Sequence, residues 1–183
     1  MRVPRAMAAV SGLLLLTWLP VIAGCGSSGP GPTVRDFLPK SGAIPGWQED
    51  TSQGESPLKV FTDQQAARAY FNDALDPFLE AGWVAAALDS YVNGERSVLL
   101  ILHQMESQEA AIEVFTRLQD DPAGTAWQGL ELEDRGRISN QGTYWLIHAR
   151  RDRFFFEASC EPGDAQTRPE AVSFANAVAA GLP

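Results

Sequence analysis

Val84 to Leu102 reads VAAALDSYVNGERSVLLIL, two apolar runs on either side of Asn93-Gly94. Val84, Ala86, Leu88, Ser90 and Val92 fall on one face of a strand. Asn93-Gly94 is a strong short turn signal, because both central residues of a type I′ turn need positive φ. Val98 to Leu102 then runs without a polar interruption, which predicts a central strand buried on both faces. A long hairpin of this kind commits the chain to an antiparallel sheet.

Working outward, the flanks carry helical periodicity. Upstream, Ala67, Tyr70, Phe71 and Ala74 recur at i, i+3, i+4 and i+7, with Thr62 or Asp63 as cap. The same stripe makes Phe71 a core residue over the Val98–Leu102 strand. Pro77 either kinks this helix or restarts it, with Asp76 as cap. Downstream, Ser107 opens a helix with Ala111, Val114, Phe115 and Leu118 on one face, and Asp121-Pro122-Ala123-Gly124 stops it. Tyr144 to Ala149 and Arg153 to Cys160 form a second hairpin around Arg151-Asp152. Thr167 and Glu170 stand at capping-box spacing before the stripe Ala171, Phe174, Ala175 and Val178. Thr33 to Trp47 reads as an extended lead-in, Asp50 to Ser56 as a polar loop, and Leu58 to Phe61 as a short strand. The predicted fold is α+β, a mainly antiparallel sheet with about three helices packed on one face of it.

The N-terminus reads as a targeting segment. Arg2 and Arg5 precede an apolar run from Ala6 to Val21, and small residues close it. The run is too short for a spanning helix, which needs about 20 apolar residues. Ile22-Ala23-Gly24-Cys25 resembles the lipobox of bacterial lipoproteins. That resemblance implies cleavage between Gly24 and Cys25, diacylglycerol on the Cys25 thiol, and an acyl chain such as palmitate on the new amino group. Two or more chains anchor a protein stably. The resemblance further implies, by the sorting rule of lipoproteins, that Gly26 rather than Asp after the cysteine directs the chain towards the outer membrane, on its periplasmic side, where the cell has one. Gly26 to Pro32 offers no core-forming side chain and predicts a flexible tether. The expected organisation is a signal peptide over 1–24, a lipidated cysteine and tether over 25–36, and one domain over 37–183.

Composition narrows the partners. The chain has 14 basic and 23 acidic residues; loss of Arg2 and Arg5 with the leader moves its charge from −9 to −11. Such an acidic body disfavours nucleic acid. With Cys25 acylated, Cys160 has no cysteine partner in the chain. It shares a strand face with Phe154, Phe156 and Ala158, the setting of an inert buried thiol.

Two further stretches, Leu38-Pro39-Lys40-Ser41-Gly42-Ala43-Ile44-Pro45-Gly46-Trp47 and Tyr70 to Trp83 (YFNDALDPFLEAGW), together resemble the uncharacterised bacterial family DUF6599. Tyr70, Asn72, Leu79, Glu80 and Gly82 match its helix directly; Phe71, Asp76, Phe78 and Trp83 match in type. Tyr91 corresponds to a strand tyrosine, and Ser107-Gln108-Glu109-Ala110 to a helix start. Asp73 stands where the family has Gly, and Pro77 where it has an aliphatic residue. The resemblance implies an envelope setting and no particular chemistry.

Catalytic signals are sparse. The two histidines, His103 and His148, lack metal-ligand spacing, and no G-x-S-x-G elbow or phosphate loop is present. Cys160 with His148 is the one nucleophile–base pair that facing strands bring near. The acidic residues Asp120, Asp121, Glu131, Glu133 and Asp134 read as solvated loop charge. Arg135, Arg137, Arg150, Arg151 and Arg153 cluster in an otherwise acidic chain. Arg150, Arg151 and Arg153, with the loop residue Trp127, are the candidate contacts for a partner. The sequence therefore predicts a membrane-tethered envelope lipoprotein, without cofactor, metal or catalytic residues, that binds an envelope protein or small ligand. The alternative is a lipid-anchored hydrolase using Cys160 and His148.

Overall fold

Two hairpins meet along their inner strands to make one sheet. This is seen in a computed structural model that describes residues 32–52, 57–118, 128–130 and 136–183. The strands are β1 (Gln48–Glu49), β2 (Lys59–Phe61), β3 (Trp83–Asn93), β4 (Arg96–Met105), β5 (Gln128–Leu130), β6 (Gly136–Asn140), β7 (Trp145–Arg151) and β8 (Phe154–Glu161). Their order is β1-β3-β4-β8-β7-β6-β5, with β2 also paired to β3, and every pairing is antiparallel. Asn93 pairs with Arg96, so the two turn residues of the first hairpin are Gly94-Glu95. Gly94 has φ of 64° and Glu95 is not in the left-handed region. Glycine at the first central position is the type II′ arrangement, not the type I′ turn predicted.

The helices are α1 (Gln64–Phe71), α2 (Asp76–Glu80), α3 (Gln108–Arg117) and α4 (Arg168–Gly181); α1 and α2 are joined through a 3-10 turn, Asn72–Leu75. Asp63 caps α1 by accepting the Ala66 N–H at 2.8 Å, and Ser107 caps α3 by accepting that of Ala110 at 3.1 Å. Asn72 stands at φ 53°, which ends α1, and Pro77 opens α2. The break resets the helical phase. Ala67, Leu75 and Phe78 are buried, whereas Tyr70 and Ala74 of the predicted stripe are exposed. Gly82, at φ 93°, turns the chain from α2 into β3. A Cβ there would lie 2.5 Å from the Glu106 carboxyl carbon. The predicted capping box of α4 does not form. Thr167 already has helical backbone angles, and Asp164 Oδ1 accepts the N–H groups of Gln166 and Thr167 instead. Glu170 pairs with Arg96 at 3.0 Å, tying α4 to the first hairpin.

Helices cover both faces of the sheet, not one. Phe154, Phe155 and Phe156 are all fully buried, and alternation sends them to opposite sides. On one side Phe154, Phe156, Leu100, Leu102, Ala158 and Cys160 pack with Phe174, Ala175 and Val178 of α4. The lead-in segment joins this core through Val34, Leu38, Ile44 and Trp47, so packing begins ahead of residue 37. Trp47 and Tyr91 both contact the Phe174 ring, at 5.2 and 5.3 Å. On the other side Phe155 meets Ala67, Leu75, Phe78, Ala111 and Val114. Val98, Leu100 and Leu102 are fully buried, but Leu99 is 39% exposed, so the central strand is sealed on one face only along that stretch. Phe71 accordingly does not lie over the Val98–Leu102 core face. It packs at the rim of the opposite face against Phe61 and His103. Among the described residues no helix is long and apolar enough to cross a membrane.

These positions rank the cost of truncation. Phe156→Ala removes a wholly buried ring and is expected to cost about 3–5 kcal/mol, enough to unfold or badly weaken a domain of this size. Phe71→Ala, at the rim, is expected to cost less than half as much. Thermal melts of the two variants check the order.

Candidate functional site

Four polar side chains project from the sheet beneath α3. His148 (β7) sits opposite Arg137 (β6) on one side and Glu157 (β8) on the other in the strand register. Arg137 Nη2 lies 3.3 Å from His148 Nδ1, and Glu157 Oε2 lies 2.9 Å from His148 Nε2. A guanidinium can only donate, so the ring hydrogen belongs on Nε2, directed at the Glu157 carboxylate. The Arg137 and Arg150 guanidinium groups lie 4.4 and 5.9 Å from the Phe115 ring of α3, within cation–π range. Both His148 nitrogens are thus engaged within the protein, and the group works as a buried polar strut under α3.

His103 is one strand pair away on the same face. Its Nδ1 accepts the Trp83 indole N–H at 3.2 Å, and Phe78 stacks on its ring at 4.0 Å. Burial lowers its pKa to about 4; Glu157 pulls the other way and His148 adds slightly to the drop. It is a neutral acceptor for Trp83, not a base poised near neutrality.

Cys160 and His148 do not meet. Cys160 pairs with Trp145 and Val98 and faces α4, whereas His148 faces α3, so the full thickness of the sheet separates their side chains. The thiol is completely buried and burial pushes its pKa up to about 12. A thiolate nucleophile has no support here, and the hydrolase alternative falls.

The predicted arginine contacts are likewise divided. Alternation places Arg150 with Arg137 on the α3 side. Arg151, on the other side, donates to the Pro183 carbonyl at 3.2 Å. Arg153 is exposed in the turn, 5.8 Å from the Phe154 ring. The three do not form one patch. Gly24, Cys25 and Trp127, with residues 26–31 of the tether, lie outside the described residues, whereas Val34, within the segment expected as tether, is buried. Among the described residues no group of three His, Cys, Asp or Glu side chains is placed to hold a metal ion.

A cavity of about 500 Å³ opens on the α4 side, at the outer edge of β3. Asp89 lies within it, 3% exposed, and Arg35, Lys40 and Glu49 line it. The Asp89 carboxylate accepts the Ser90 N–H at 2.9 Å. Burial raises its pKa; the Ser90 bond opposes this, Glu49 adds to it, and Arg35 opposes it. The Tyr91 hydroxyl donates to the Pro39 carbonyl at 2.8 Å and pins the lead-in segment over this edge. None of these residues stood out as a site in the sequence, although Asp89 is the one charged residue in the strand AALDSYV.

His103 gives the domain a testable response to acid. Its folded pKa of about 4 lies below the ordinary 6.5, so its contribution is fully present above pH 6.5. That contribution is lost as the pH falls towards 4, when the unfolded chain binds the proton first. The loss is on the order of 3 kcal/mol. His103→Gln keeps an acceptor for Trp83 and should show a shallower fall in melting temperature over that window. Parallel curves for the two proteins would remove the assignment.

No family model and no curated protein matches the chain. Among solved structures, it is similar to the extracellular domain of PknH from Mycobacterium tuberculosis. The likeness has 10% sequence identity over 74% of this chain and 80% of that one, with a TM-score of 0.42.

Proposed function

We propose that this chain is a bacterial envelope lipoprotein, held to the membrane by lipid on Cys25. Its folded domain binds a partner protein or small ligand and performs no catalysis. The observation that carries the reading is Ile22-Ala23-Gly24-Cys25 at the end of a basic-then-apolar leader. The folded unit runs from Pro32 to Pro183, starting where the glycine, serine and proline run stops. Gly26 favours the outer membrane in a diderm cell. Membership of DUF6599 is part of this proposal, and the residues that carry the resemblance have structural work: Trp47 and Tyr91 pack on Phe174, and Gly82 turns the chain.

Cys25→Ser should block processing or release a soluble form, and it should abolish incorporation of labelled palmitate. Fractionation of cells expressing both forms checks this. Processed protein that stays with the membrane after the substitution would sink the anchor. Crosslinking in intact cells, followed by pull-down of the lipidated protein, is expected to recover a stable envelope complex.

A further inference from the structure

The cavity at Asp89 follows from how the sheet edge is built. β1 pairs with β3 at Val92 and Tyr91, and β2 pairs with it at Leu88, Ala87 and Ala86. Both use the same outer edge of β3 and leave Asp89-Ser90 between them. Asp50 bridges part of the gap by donating its N–H to the Ser90 carbonyl at 2.8 Å. Among the described residues no strand pairs with β3 at Asp89. Strand alternation turns the Asp89 side chain to the same face as Ala87 and Tyr91, inward towards the core under α4.

A carboxylate in that position is costly unless something pairs with it. Asp89 has a single hydrogen bond, from its neighbour Ser90, and an ionised carboxylate has about four acceptor sites. Among the described residues it forms no ion pair, and neither do Arg35 and Lys40. Asp36, which also lines the cavity, accepts both the N–H and the hydroxyl of Thr33 and keeps its negative charge. The cavity therefore holds three carboxylates, Asp89, Glu49 and Asp36, and two basic side chains, Arg35 and Lys40, that make no ion pair among the described residues. Its volume of about 500 Å³ is in the range of small-molecule sites, about 300–1,000 Å³.

We propose that this cavity binds a small zwitterion, with a primary ammonium group on Asp89 and Glu49 and a carboxylate directed to Arg35 and Lys40. The proposal rests on reading the domain as a binding module, and it does not depend on the anchor. An ammonium ion supplies the donors that the Asp89 carboxylate lacks. Arg35 and Lys40 disfavour a plain polyamine and favour a ligand whose far end is anionic.

The test is calorimetric titration of the full-length protein in neutral detergent with glycine, γ-aminobutyrate and ε-aminohexanoate, a series that varies the distance between the charges. Hexanoate and hexylamine are the single-charge controls. At least one zwitterion should bind saturably, more tightly than either control. Asp89→Asn should weaken it by about tenfold or more, the loss of one charge-assisted contact. Thermal melting shows whether that variant is folded; relief of a buried charge should leave its stability unchanged or raised. Arg35→Gln with Lys40→Gln, on the exposed side, provides a second variant that should also weaken binding. The proposal is overturned if no zwitterion binds. It is equally overturned if hexanoate or hexylamine binds as well as the zwitterions, or if either folded variant binds undiminished. Recovery of an envelope complex by crosslinking together with no zwitterion binding would remove this proposal and leave the broader reading standing.

Discussion

Three consecutive phenylalanines on β8, all removed from water, set the terms for the rest of the structure. A strand cannot turn neighbouring side chains to the same side, so Phe154 and Phe156 demand a cover on one face and Phe155 demands one on the other. Each buried ring contributes about 2–3 kcal/mol when its surface leaves water, so cover on both faces is favoured. α4 and the lead-in segment supply one layer. The α1–α2 run and α3 supply the other. The central position of β8, between β4 and β7, follows from the same demand.

The polar chemistry is distributed by that division. Both histidines fall on the α3 side, where Trp83 engages His103 Nδ1, and Arg137 and Glu157 engage the two His148 nitrogens. The lone described cysteine falls on the α4 side in an apolar setting. Residues that look like a catalytic pair in a linear reading are thus kept apart by sheet geometry. A cluster of charged side chains lies instead at the edge of β3, where the described short strands pair on either side of Asp89 and the lead-in segment runs beside it.

Much of this was legible from local signals. The hairpins, the Asp63 and Ser107 caps and the stripe of α4 follow from turn chemistry and periodicity, because each depends on a few neighbouring residues. The side of the sheet taken by each helix was not legible, since a run such as Phe154-Phe155-Phe156 has no period to indicate a face. β6 was missed for a related reason. Arg137 and Ser139 are buried within it, and polar residues in a buried strand erase the apolar alternation that marks one. The positive φ of Asn72 displaced Ala74 from the predicted stripe, since it rotates everything after it, while Tyr70 is exposed within α1 itself. Asp89 was passed over because a lone acidic residue in an apolar run acquires meaning only when its place at a sheet edge beside a cavity is known.

The short outer strands have a consequence for neighbouring molecules. Exposed strand edges are templates for addition of a further chain, and proteins commonly blunt them with brevity and charge. Here the described edges consist of β5, with three residues, and of β1 and β2, with two and three, the latter carrying Glu49 and Lys59. Ribbons this brief present too few backbone donors and acceptors in a row to seed polymerisation.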